Sequence, residues 1–167
     1  VDYDAFCKLA DLKDDIVNFV NRGANLYICS RVTGNGKTSW AIKLMLKYFD
    51  NVWAGNGFRV RGMFVHVPTL INQLKNFESP LSQEYKDNLI NADLVIWDDI
   101  ASTKLSEYDH SQLLSYIDQR EFKDLSNIFT GNIIGIAALE NSVGIRLASR
   151  LWNNSTVIEF NGKDRRK

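Results

Sequence analysis

Gly34-Asn35-Gly36-Lys37-Thr38-Ser39 concentrates the residue types that hold a polyphosphate. The glycines let the backbone turn tightly and aim its N–H groups at an anion. Lys37 then offers an ammonium to the β- and γ-phosphates, and Thr38 a hydroxyl to Mg²⁺. Every residue from Gly34 to Ser39 is a candidate nucleotide contact. The G-x-x-x-x-G-K-[ST] pattern asks for glycine at position 31, where this chain has Arg31, so the loop must close with a side chain in that place. A second set lies further along, where the apolar run Leu94-Val95-Ile96-Trp97 ends in Asp98 and Asp99. An acid ending a buried strand beside such a loop orients the same Mg²⁺, which is the role of Asp98. Asp99 is placed to accept a proton from an attacking water, with a helix cap or an outer Mg²⁺ ligand as the alternative.

These groups need elements to hold them. Leu26 to Leu46 reads as an apolar strand, the glycine-containing turn and an amphipathic helix, whose positive end faces the anion and whose burial is expected from Trp40, Ile42, Leu44, Met45 and Leu46. Apolar residues from Tyr3 to Val20 recur at helical spacing. Gly62 to Val67 is a second strand, stopped by Pro68. Thr69 to Phe77 and Ser82 to Asn91 are two short helices, and Leu94 to Trp97 is the third strand. A longer helix from Glu107 to Phe122 precedes a fourth strand, Ser126 to Thr130. Ala137 to Trp152 is mostly helical, Thr156 to Phe160 is the fifth strand, and a basic tail follows. Strands alternating with helices make an α/β domain with a parallel sheet and ligands at the carboxyl ends of its strands.

Composition narrows the function classes. With 167 residues, 45% of them hydrophobic, the chain is one domain's worth and buries a two-sided core. Lys plus Arg (20) equal Asp plus Glu (20), so no global field draws in nucleic acid and any such binding needs a local patch. Cys7 and Cys29 suit free thiols in a reducing compartment, and His66 and His110 are too scattered for a metal set. The absence of a membrane-length apolar run or signal peptide makes a cytoplasmic location the expectation. Trp40 and Trp97 are expected in the core. Trp53 and Asn56 mark a loop, and Arg59 and Arg61 a solvated strand end.

From Asn25 to Arg166 the chain resembles the AAA+ ATPase domain of bacterial and phage replicative helicase loaders, the DnaC/DnaI type, related to the transposition ATPase IstB. The carrying stretches are Tyr27 to Thr38, Ala92 to Ile100, Ile128 to Asn132, and Gly144 to Leu151, with its paired arginines before a final strand and basic tail. The resemblance implies a three-layer αβα P-loop NTPase with a five-stranded parallel sheet and no separate C-terminal lid domain. The helicase-binding segment that such loaders carry at their N-terminus has no counterpart in 1–167.

The same resemblance implies ATP or ADP with Mg²⁺ as ligands, slow ATP hydrolysis, and a replicative helicase and single-stranded DNA as partners during DNA replication. It implies roles as well. Asn132 matches a γ-phosphate sensor, and Arg150 an arginine finger that reaches a neighbouring subunit's nucleotide. Arg166 matches a second sensor, although Arg165 replaces the tyrosine common beside it. Phe77, Ser106 and Tyr108 match the surface along which a single strand lies. A turn asparagine at Asn132, a solvated helix face carrying Arg146 and Arg150, and a core role for Phe77 remain open at this point. So do a transposition helper that binds duplex DNA, with the same phosphate chemistry, and a small-molecule kinase, which gives Gly144 to Arg150 no task.

Overall fold

The computed structural model describes residues 1–52 and 59–165; Trp53, Asn56 and Arg166 lie outside the described residues. Among the described residues five strands pair in parallel, in the order β2-β3-β4-β1-β5. They are β1 (Asn25–Cys29), β2 (Gly62–His66), β3 (Leu94–Asp98), β4 (Ser126–Gly131) and β5 (Thr156–Glu159). Alternation along each strand sends side chains to two separate cores. Leu26 and Ile28 of β1, Leu94 and Ile96 of β3 and Ile128 of β4 meet α1 (Tyr3–Asp14), α2 (Ile16–Asn21) and α3 (Lys37–Val52) on one face. Tyr27, Cys29, Val95, Trp97 and Phe129 point the other way. They meet α4 (Val67–Leu74), α5 (Gln83–Asn91), α6 (Glu107–Phe122), α7 (Ile136–Val143) and α8 (Ile145–Trp152). The result is the expected three-layer αβα arrangement, and Trp97 is in the core as expected.

Register decides which residues share the functional edge. Cys29 pairs with Gly131, Trp97 with Phe129, and His66 with Asp98. His66, Asp98 and Thr130 therefore line up where the strands end, with Ser30 two residues further along, level with Asn132.

Several expectations change in detail. The helix expected over 3–20 breaks at Asp15, whose backbone leaves helical geometry and whose carboxylate accepts a hydrogen bond from the Asn18 amide at 2.7 Å. The segment 137–152 breaks at Gly144, which adopts φ 83°; a Cβ there would sit 3.0 Å from His110 Nδ1. Pro68 does more than stop β2, because it occupies the first turn of α4, where its missing N–H costs nothing. On α3, Leu44 and Met45 are buried, but Leu46 is exposed and Trp40 and Ile42 are half-buried. Arg59 and Arg61 are not merely a solvated strand end. Both pair with the buried carboxylate of Asp93, at 2.8 and 2.9 Å, and the Tyr48 hydroxyl donates to it at 2.6 Å.

The fully buried Arg120 ties the opposite edge of the sheet together. Its guanidinium donates to Asn127 Oδ1 and to the carbonyls of Leu89, Ala92 and Ser126 at 2.6–2.9 Å, joining α6 to the end of α5 and the start of β4. Burial pulls it down to about 9, with the Asp93 charge opposing, so it remains cationic at neutral pH. Arg120→Met would strand these acceptors in the core and should cost at least about 3 kcal/mol in urea unfolding. Lysine, a point charge without the planar fork, should restore little of that loss.

Candidate functional site

The phosphate loop spans the gap between β1 and α3, and its own side chains fix its shape. The Ser30 hydroxyl, directly after β1, accepts from the Val32 N–H at 2.9 Å and from the Asn35 amide at 2.5 Å, and donates to the Val32 carbonyl at 3.0 Å. Gly34 and Gly36 adopt φ 73° and 103°, so both need glycine's freedom. Arg31 does not need it: it has no positive φ and its side chain is exposed, so the loop closes without glycine there. Lys37 opens α3, largely buried, and its ammonium donates to the Val32 carbonyl at 2.9 Å and Asn35 Oδ1 at 3.2 Å. Ser39 follows in the first turn of the helix, exposed. Burial pushes the Cys29 thiol up to about 12, with the Glu159 carboxylate acting the same way and the Lys37 ammonium against it, so the thiol beneath the loop is neutral. Cys7, like Cys29, is a free thiol, and it is exposed.

Thr38 and Asp98, far apart in sequence, meet at this edge. The Thr38 hydroxyl donates to Asp98 Oδ1 at 2.7 Å, and the Thr130 hydroxyl donates to the same oxygen at 2.7 Å. Thr130 Oγ1 in turn accepts the Asp99 N–H at 3.0 Å, and its carbonyl accepts the Ile100 N–H at 3.0 Å. Asp99 is held at φ 61°, a conformation that costs energy for a residue with a Cβ. His66 Nε2 lies 3.9 Å from Asp99 Oδ2, while its Nδ1 shares a 2.8 Å hydrogen bond with the Thr69 hydroxyl. Reading the sequence alone misses Thr130, Ser30 and His66. Their signal is positional: Ser30 follows β1, His66 ends β2 and Thr130 is the last residue but one of β4.

The Thr38 and Asp98 oxygens fit a small hard cation. Neighbouring corners of a Mg²⁺ octahedron are about 2.9 Å apart, close to the 2.7 Å found between them. Among the described residues no group of three or more His, Cys, Asp or Glu side chains could hold a metal by itself, so such an ion would need phosphate and water to complete its shell.

Asn132 follows β4, two residues beyond Thr130, where Gly131 leaves space for Tyr27: a Cβ at Gly131 would lie 2.6 Å from the Tyr27 hydroxyl, which donates to the Ile133 carbonyl at 2.8 Å. Arg146 and Arg150 share one face of α8, as their spacing requires, and both reach Asp118 of α6, at 3.3 and 3.1 Å. Arg150 also meets Glu121 at 2.8 Å. Burial raises the Glu121 carboxyl, the Arg150 charge opposing and the Asp118 charge assisting.

Phe77 is 84% exposed, which removes it from the core, and Tyr108 is 48% exposed. The Lys75 ammonium, 3.1 Å from Asp109 Oδ2, brings their two segments together. Ser106 has a structural task here. Its hydroxyl accepts the Asp109 N–H and its own N–H donates to the Asp109 carboxylate, a reciprocal cap that starts α6. Burial alone would raise the Asp109 carboxyl, but the hydrogen bonds from Ser106 and the Lys75 charge together hold it below its ordinary value.

In sequence the chain matches no protein-family model and no curated protein. In fold it is similar to the DnaC helicase loader, with a TM-score of 0.73 and 21% identity over 88% of this chain and 86% of that one. DnaI superposes with a TM-score of 0.66 and 23% identity, over 90% and 80% of the two chains. Aquifex aeolicus DnaA bound to AMPPCP gives 0.69 and 16%, over 93% of this chain and 46% of that one. The chain thus shares the three-layer αβα fold of DnaC and DnaI.

Thr130→Val keeps the shape and removes the hydroxyl that links Asp98 to the Asp99 turn. It should lower the unfolding free energy by about 1–2 kcal/mol in urea melts and leave the Asp99 amide unprotected in hydrogen exchange.

Proposed function

We propose that the chain is an ATP-binding and hydrolysing helicase loader that assembles on single-stranded DNA and helps deposit a replicative ring helicase. The observation that carries the nucleotide part is the 2.7 Å meeting of Thr38 and Asp98 beside the Lys37 loop. Hydroxyl and carboxylate meet there, and the ammonium stands in the adjoining loop, the three groups that a Mg²⁺-nucleotide requires. Bound Mg²⁺ would neutralise charge building on the β- and γ-phosphates. Lys37 would exchange the Val32 carbonyl for phosphate oxygens, and the loop N–H groups would donate to the other oxygens of the anion. Asp99 would hold the attacking water and take its proton, with Asn132 beside the γ-phosphate.

Hydrolysis in this reading is completed between subunits. Arg150 would leave Asp118 and Glu121 to reach a neighbour's phosphates, a task suited to a group that stays charged and offers a fork of donors. Arg166 would act as a second sensor. The single-strand part is supported by Phe77 and Tyr108, two exposed aromatics on segments joined by Lys75 and Asp109, because bases stack on such rings whatever their sequence. The DnaC and DnaI likenesses favour a helicase as partner.

Two measurements test this reading. Lys37→Ala should weaken ATP and ADP binding at least tenfold, roughly the loss of charge-assisted phosphate contacts, and should also lower the apo melting temperature, because the Val32 carbonyl and Asn35 Oδ1 lose their donor. Unchanged affinity would remove the site. Phe77→Ala and Tyr108→Ala should each weaken ATP-dependent single-strand binding several-fold, consistent with ~1–3 kcal/mol per stacked base, without changing nucleotide affinity. Anisotropy at fixed salt with single and double strands reads this directly, and a preference for duplex would favour a transposition helper instead.

A further inference from the structure

Asp2 stands at the N-cap of α1, where aspartate usually accepts a hydrogen bond from its own helix, yet its carboxylate makes no capping bond. It is spent on the other end of the chain. Oδ1 accepts the Asn161 N–H at 2.6 Å, and both oxygens accept the Gly162 N–H, at 3.1 and 3.0 Å. Arg165 Nη2 lies 3.7 Å from the same carboxylate, whose side chain is 1% exposed. A Cβ at Gly162 would run into Asp2 Oδ2, so the tail turns against the carboxylate at a residue without a side chain.

The clamped tail then touches the phosphate loop. The Arg165 N–H donates to the Gly34 carbonyl at 3.0 Å. A second link runs through the rings: the Arg165 guanidinium lies 4.8 Å from the centre of Phe6, which stacks at 5.8 Å on Trp40, whose backbone N–H donates to the Gly36 carbonyl at 3.0 Å. A trans peptide is planar, with its C=O and N–H pointing in opposite directions. Tying the Gly34 carbonyl toward the tail therefore turns the Asn35 N–H away from the tail. The Asn35 side chain is anchored separately, to Ser30 and Lys37, so the tail adds a backbone constraint on the Gly34–Asn35 peptide to a side-chain one, next to glycines whose positive φ leaves that plane free to turn.

We infer that Asp2 is a positioning residue for the phosphate loop: by clamping the tail it fixes the Gly34–Asn35 peptide and aims the Asn35 N–H at the bound anion. The inference rests on the nucleotide reading above. It predicts that the affinity lost with the clamp is affinity for phosphate, not for the nucleoside.

The test compares wild type, Asp2→Ala, Asp2→Asn, and Arg165→Pro, which deletes the donor to Gly34 and leaves Asp2 in place should Asp2→Ala fold poorly. Binding of a fluorescent ADP analogue and its displacement by inorganic tripolyphosphate are measured, together with the Asn35 amide resonance of the ligand-free protein. Asp2→Ala and Arg165→Pro should each weaken both probes about fivefold, the worth of one hydrogen bond, and shift the Asn35 amide. Asp2→Asn, which keeps a carbonyl acceptor, should recover part of the loss, whereas a general loss of stability would not follow that order. Unchanged affinity in folded Asp2→Ala or Arg165→Pro, with the wild type binding and Lys37→Ala failing to bind, overturns the inference. So does a loss confined to the ADP analogue, which would mark a nucleoside contact. If the wild type binds neither probe the nucleotide reading falls, and the Asn35 amide alone decides whether the tail orients the loop.

Discussion

A sheet covered on both faces leaves polar groups nowhere to go but the ends of its strands, and the site depends on how that constraint is met at Asp98. The carboxylate ends a strand buried throughout its length, so its charge must be met by donors already in place. Thr38 and Thr130 supply them from either side. One comes from the helix that follows β1 and the other from β4, the strand between β1 and β3, so a single oxygen locks the loop helix to the sheet. A one-residue slip of register between β3 and β4 would break that contact and send the side chains of the slipped strand to the wrong core.

The opposite edge meets the same constraint with the opposite charge. Arg120 finds three carbonyls and an amide oxygen, with no carboxylate in direct contact, and the Asp93 charge nearby raises what burial lowers. Its partners are the acceptors that a helix end and a strand start leave over. Asp93 in turn holds Arg59, Arg61 and Tyr48, so the start of β3 is pinned as firmly as its end. The sheet is thereby fixed at both ends of β3, and Asp98 is delivered to one place.

Much of this was legible in the sequence because it depends on period and order. The five strands, the alternation of Leu94 and Ile96 with Val95 and Trp97, and the pairing of Gly-Lys-Thr with Asp98 follow from short-range pattern. What was not legible depends on long-range geometry. Nothing local distinguishes Thr130 from any strand threonine until β4 is known to lie beside β3. The break at Asp15 is hidden by an apolar period that continues across it. Arg31 shows the reverse: a motif's missing glycine looks like a defect, but the backbone at that position never enters the region that glycine alone favours.

The ion pairs of the α8 arginines are weak enough to be exchanged, which is what the proposed finger role of Arg150 requires. Arg150 is 30% exposed and its carboxylate partners 32% and 20%, so its ion pairs sit near the surface, where such contacts contribute about 0–1 kcal/mol. That is enough to select a rotamer. It is too little to oppose transfer to a polyphosphate, whose greater charge and several oxygens satisfy the same fork of donors more fully. The penalty of leaving falls mainly on Glu121, already raised by burial, which would lose its nearest cation. Gly144 makes the arrangement possible. By ending α7 and restarting the chain as α8 with φ 83°, it turns Arg146 and Arg150 onto the outer face beside α6 while Leu147, Ala148 and Leu151 remain in the core. A continuous helix through that position would have sent one of these two sets to the wrong side.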